Sequence, residues 1–239
     1  MLITMNNSVT NTARLLGAGL RALLVLTLVT GVIYPLVVTG IAQALFNNKA
    51  NGSEIKADGK VVGSSLIGQS YNLPLKKGQT SPDPDLKWFQ GRPQNGLGAN
   101  SLNTRYKLIL SGATNLSADS GAVKGVCPDQ PADKTLCAQV VAAKDAVVKD
   151  NSVPGYTVKP SDVPADAVTS SGSGLDPAIS PEYAELQVHR IAAKNGLSVA
   201  AVEKLVKDNT QGRTLGFIGE PQVNVLRLNI ALKDLVAKK

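Results

Sequence analysis

Residues 22–48 form a run of 27 without a charged side chain, bounded by Arg21 and Lys49 and dominated by Leu, Val, Ile and Ala. As a helix this run extends about 40 Å, against a hydrocarbon core of about 30 Å. It is long enough to cross a membrane, and that constrains what the rest of the chain can be. Gly31, Pro35 and Gly40 interrupt it; such residues weaken a helix in water but are tolerated in a spanning one. Thr27, Gly31, Pro35 and Thr39 recur at four-residue spacing, a stripe of small or kinking residues that lets a second helix pack closely. A cleaved export signal is the competing reading, because Ala42-Gln43-Ala44 has the small-x-small form of a cleavage site. The apolar run outlasts the roughly 7–15 residues of a signal core, so a retained anchor is expected. Its orientation does not follow from charge: Arg14 and Arg21 flank one end, and Lys49, Lys56 and Lys60 the other.

Beyond this segment the pattern is globular. The expected organisation is a short basic segment over 1–21, a transmembrane helix over 22–46 and a soluble α+β domain over 47–239. The net charge is +7, but Lys and Arg are scattered rather than gathered into a patch, which argues against nucleic acid as a partner. Residues 60–69 read as a strand broken at Gly63, and residues 71–102 as loop with a turn at Trp88 and Phe89. Residues 132–149 read as a helix with an apolar stripe through Leu136, Val140, Val141, Ala143, Val147 and Val148. Ser180 is an N-cap candidate, followed by Pro181 and Glu182; Ala184, Val188, Ile191 and Ala192 then share a face. Gly196 suits a helix end and Ser198 a second cap, with Val202, Leu205 and Val206 turned inward. Residues 223–228 read as a strand, with a short helix closing the chain.

Few residues suggest chemistry. Cys127 and Cys137 are the only cysteines and His189 the only histidine, too few for a four-ligand zinc site. The cysteines are either free thiols or a disulfide; a bridge, the favoured reading, would place the domain outside the cytoplasm. Asp133-Lys134-Thr135 resembles the start of the phosphorylated-aspartate motif of ion pumps, but Leu136 and Cys137 break it, so it is read as coincidence. Ser171-Gly172-Ser173-Gly174 could offer backbone N–H groups to a phosphate, yet no Gly-Lys-Ser/Thr follows, which leaves a tight-turn loop. His189 has no neighbouring nucleophile, and an ordinary surface or hydrogen-bonded role is expected. No catalytic residue and no metal site is expected.

Seven blocks resemble, in order, the C subunits of the bacterial Kdp-type potassium-transporting ATPase. They are Thr30-Gly31-Val32-Ile33-Tyr34-Pro35-Leu36; Gly63-Ser64-Ser65-Leu66-Ile67-Gly68-Gln69; Trp88-Phe89-Gln90-Gly91-Arg92-Pro93; Ser111-Gly112-Ala113-Thr114-Asn115-Leu116; residues 169–181; Gln187-Val188-His189-Arg190-Ile191-Ala192; and residues 219–229. The resemblance implies a single-pass, non-catalytic subunit of the inner (cytoplasmic) membrane, its domain on the periplasmic side, in a complex that imports K⁺ at the expense of ATP. Its implied partners are a channel-like K⁺ subunit and an ATP-hydrolysing P-type subunit. The implied role is assembly and activity, with a catalytic-chaperone effect that raises the ATP affinity of the hydrolysing subunit. No cofactor is expected to bind firmly, ATP being met only through the complex. Gln187 and the loop Ser171, Gly172, Ser173 and Gly174 are the residues the resemblance associates with nucleotide. The alternative is an extracytoplasmic binding module, secreted or membrane-anchored, with no part in ATP use.

Overall fold

A computed structural model describes residues 3–79, 81–93, 112, 121–122 and 126–239. Most of the fourth block that carries the resemblance, and residues 94–102 of the loop, lie outside them. The chain divides into two compact units, residues 1–53 and 54–239.

The first unit is helical. Helix α1 (Ile3–Leu28) leads into a π-helical turn (Val29–Ile33) and then α2 (Tyr34–Leu45), with a single turn, α3 (Asn47–Ala50), after it. The irregularity has a local cause. Pro35 has no N–H to give the Gly31 carbonyl, and its ring crowds that carbonyl. The helix therefore widens by one residue, and the Tyr34 N–H bonds Val29 instead. Thr30 Oγ1 donates to the Leu26 carbonyl at 2.7 Å, four residues back. The stretch Val9–Leu45 is long and apolar enough to cross a membrane. Its large side chains are exposed, Leu36 at 67% and Val37 at 54%, a condition that suits lipid or neighbouring helices and not water.

The second unit mixes helices with two small sheets, an α+β arrangement. Strands β1 (Glu54–Ala57) and β2 (Lys60–Ser64) form an antiparallel hairpin across Asp58 and Gly59. Both turn residues have positive φ, 51° and 74°, the combination a two-residue hairpin turn demands. Strand β2 runs through Gly63, where a break was expected, and the pairing register slips beside Ile55 instead. Helix α4 (Leu136–Asn151) starts with the apolar stripe at Leu136, later than the expected 132, because the Thr135 side chain caps it by accepting from the Ala138 N–H.

Strand β3 (Ala178–Ile179) precedes α5 (Pro181–Leu186), α6 (Val188–Asn195) and α7 (Val199–Asp208); β4 (Thr210–Gln211), β5 (Gln222–Asn224) and α8 (Val225–Ala237) follow. Ser180 and Ser198 cap as expected, accepting from Tyr183 and Ala201, and Gly196 ends α6 at φ 63°. The second sheet is antiparallel in the order β3-β5-β4. The expected strand over 223–228 is instead three residues of strand followed by helix. Asn224 accepts from the Arg227 N–H and starts α8, so the apolar residues after it bury by helical spacing. The core gathers Tyr71, Phe89, Val188, Ile191, Val202, Val206, Val223, Leu228 and Leu232, all nearly without solvent contact. Its two loop aromatics, Tyr71 and Phe89, come from a stretch with no regular structure.

Candidate functional site

The chain between Leu86 and Gln90 turns Phe89 into the interior, and among the described residues no strand pairs with it. Its polar backbone groups must nonetheless be satisfied, and side chains do this work. Asn229, on α8, accepts from the Phe89 N–H at 2.9 Å and donates to the Phe89 carbonyl at 3.0 Å. Gln187 repeats the arrangement one residue on: Oε1 accepts from the Gln90 N–H at 2.7 Å and Nε2 donates to the Gln90 carbonyl at 3.0 Å. Each primary amide thus stands in for a paired strand.

Gln187 occupies the break between α5 and α6, where a kinked backbone brings its side chain inward, and it is fully buried. Its Nε2 also donates to the Tyr183 carbonyl, and its Oε1 accepts from Arg190 Nη2 at 2.6 Å. Arg190, 1% exposed, spends its other donors on Asn151 Oδ1 at 2.8 Å and on the carbonyls of Leu86 and Trp88. None of these acceptors carries a charge. Burial therefore holds the guanidinium pKa down at about 10, with Tyr183, Asp150 and Asp85 opposing that shift. Tyr183 beside it is pushed up to about 12, and Tyr71 is pushed higher still; burial is the main cause in both.

Five of the seven blocks that carried the resemblance come together in this unit. Arg92 donates to the Thr169 and Ser170 carbonyls and pairs with Asp176 at 3.1 Å. The Gly68 N–H reaches the Leu175 carbonyl at 2.7 Å, and Asn224 Nδ2 reaches the Ser65 carbonyl at 2.9 Å. The Ser-Gly-Ser-Gly loop is folded on itself. The Gly174 N–H donates to the Ser171 carbonyl, while the N–H groups of Leu175 and Asp176 go to the hydroxyls of Ser173 and Ser171.

A cavity of about 290 Å³ lies beside the network, bordered by Gln90, Arg92, Asp150, Asn151, Tyr183 and Arg190. An open groove of about 1200 Å³ runs past His189, which stacks on Tyr156 at 3.7 Å between ring centres, and past Glu182, Glu185, Lys204 and Lys207. Gln187 and residues 171–174 border neither. Both amide ends of Gln187 are engaged within the fold. Among the described residues no group of three or more His, Cys, Asp or Glu could hold a metal. Cys127 and Cys137 are joined as a disulfide. In the apolar helix a Cβ built at Gly31 meets only Thr27 Cγ2, at 3.9 Å, among the described residues.

Sequence reasoning singled out Gln187 but not its companions. Arg190 lies three residues on, within a quoted block, and Asn229 within another; a spacing of i, i+3 was the available signal. Asn151, ending α4, carried none.

Nearly the whole chain also matches known proteins. A family model described as the c chain of the K⁺-transporting ATPase covers residues 16–234. A Streptomyces avermitilis protein named potassium-transporting ATPase KdpC subunit is 74% identical over 233 residues, 98% of this chain and 99% of that one. The chain belongs to the KdpC family. A Streptomyces coelicolor protein of the same name is 70% identical, covering 98% of both chains. One from Mycobacterium tuberculosis is 40% identical over 216 residues, 90% of this chain and 96% of that one. The KdpC match takes in the apolar helix, the buried network and α8 alike.

Proposed function

We propose that this chain is the C subunit of a K⁺-transporting ATPase, anchored by one membrane span and needed for assembly and activity of the complex rather than for chemistry of its own. The observation that carries the reading is the match to proteins named KdpC subunit along nearly the entire chain. The structural support is of a different kind: its buried polar residues Gln187, Arg190 and Asn229 are spent on holding the fold. Gln187 is a positioning residue in this account, and any effect of the subunit on ATP affinity runs through the shape of the domain rather than through contact with the nucleotide. The partners are a channel-like K⁺ subunit and an ATP-hydrolysing subunit. The span meets its partner helices along Thr27, Gly31, Pro35 and Thr39, with the widened turn at Gly31 as the point of closest approach.

The domain lies on the periplasmic side of the inner membrane; the Cys127–Cys137 bridge supports this, since such bonds persist in oxidising compartments. Growth of a strain lacking this subunit, on limiting K⁺, tests the proposal. The wild-type chain restores growth, and Gly31→Leu, whose Cβ meets only Thr27 Cγ2 at 3.9 Å, fails to. Restoration by neither chain ends the subunit reading; equal restoration by both ends the helix-packing part. In the same strain Cys127 and Cys137 are replaced by Ser and a cysteine is placed at the exposed Ser173. A membrane-impermeant maleimide labels it in intact cells; labelling only after lysis would reverse the topology.

A further inference from the structure

Ten residues, 212–221, connect β4 to β5, and every one is exposed. They form a tight finger. Thr214 and Ile218 pair through both backbone groups, at 2.9 and 3.0 Å, while the N–H groups of Gly216 and Phe217 turn back to Arg213 and Thr214. Arg213 and Glu220 close its base with an ion pair at 2.8 Å. At the tip Leu215, Phe217 and Ile218 are 79%, 73% and 52% exposed. Leu215 has φ 55°, a left-handed conformation that a branched apolar residue rarely adopts. The chain therefore bears two costs here, strained backbone and solvated apolar surface, and among the described residues no contact offsets either. Strain of this kind persists where function requires it.

We propose that the finger docks into an uncharged, apolar pocket on another subunit of the same ATPase. This deepens the subunit reading and rests on it. Three observations favour a protein pocket over a lipid surface. The turn is internally bonded, so the three side chains are presented in fixed positions before binding; that lowers the ordering cost of a shaped interface and is of no use in fluid lipid. Its only charges, Arg213 and Glu220, neutralise each other, so it lacks the cationic excess that draws a segment to anionic membranes. Beside its base a hollow of about 370 Å³ is bordered by Leu66, 63% exposed, with Gln211, Gln222 and Arg227. A projecting apolar tip next to a polar-edged hollow has the anatomy of a protein interface.

The test uses the full chain, tagged and co-expressed with the other ATPase subunits, against the double variant Leu215→Gly/Phe217→Ser. Glycine relieves the positive φ at position 215, so the variant chain is expected to melt no earlier than wild type in detergent. Recovery of the other subunits with the tag is expected to fall about tenfold or more, as for loss of buried anchors. Undiminished recovery overturns the finger while leaving the subunit reading intact; failure of the wild-type chain to recover any subunit overturns both. Should the double variant melt early, a benzophenone photo-crosslinker at Phe217 decides instead. A crosslink to another subunit of the ATPase supports the proposal, and its absence refutes it. Phe217→Trp in the assembled complex in brominated lipid, compared with wild type whose one tryptophan is Trp88, reads the competing site: added quenching assigns the tip to the bilayer and refutes the pocket.

Discussion

At the scale of single residues, the account turns on a side-chain amide doing a strand's work. Gln187→Ala removes four hydrogen bonds and leaves the Gln90 backbone and a donor of Arg190 without partners inside the protein. Chemical denaturation of the full chain should show a loss of about 2–4 kcal/mol, in the range for stranding buried polar and charged groups. A stability within error of wild type would return Gln187 to a ligand-contact role. The tyrosines give a second reading. Tyr183, at about 12, and Tyr71, higher, are acids held above their ordinary value of 10. Their preference for the folded state is complete below pH 10 and is lost as pH climbs through their folded values. Arg190, a base held down at about 10, acts oppositely in the same window, so absorbance at 295 nm is the measurement rather than stability. Two of the five tyrosines should ionise only with unfolding; five ionising together near pH 10 would contradict their burial. None of this was legible as geometry. Hydropathy marks Gln, Arg and Asn as surface residues, and only a fold that leaves a loop unpaired in its interior has use for them inside.

At the scale of elements, the legible parts were those with local causes. Ser180, Ser198 and Gly196 end or begin helices for reasons contained in a few neighbouring residues, and the structure places all three as expected. The residues after Val223 were misread because Val223 and Val225 are β-branched and flank an asparagine. The Asn224 cap, a signal of equal strength, won because helix α8 can bury Leu228 and Leu232 together. Gly63 was read as a strand breaker, but its place is set by packing. A Cβ there would lie 2.1 Å from Gln69 Nε2 and 2.6 Å from Leu226 Cδ2. Neither neighbour moves freely, since Gln69 is buried and bonded to the Val62 carbonyl at 2.7 Å and Leu226 is 2% exposed. Gly63→Ala should therefore cost about 1–3 kcal/mol, the range for overpacking, and lower the melting temperature. An unchanged melting temperature would mean that the hairpin packs elsewhere.

At the scale of the whole molecule, the sequence predicts a basic segment over 1–21, a transmembrane helix over 22–46 and a mixed domain over 47–239, and the structure falls into units 1–53 and 54–239. What could not be read in advance was how the separated blocks meet. Their convergence depends on contacts such as Phe89 with Asn229, 140 residues apart, which no local pattern encodes. The resulting domain spends Gln187, Arg190 and Asn229 on internal hydrogen bonds and exposes an apolar finger. Those properties suit a subunit that acts by binding others. The direct measurement is affinity purification through a tag on this chain after co-expression with the other subunits, followed by ATP hydrolysis with and without K⁺. The account predicts K⁺-stimulated hydrolysis eluting with the tagged chain. A chain that elutes alone and without hydrolysis, from membranes that contain the other subunits, would contradict it.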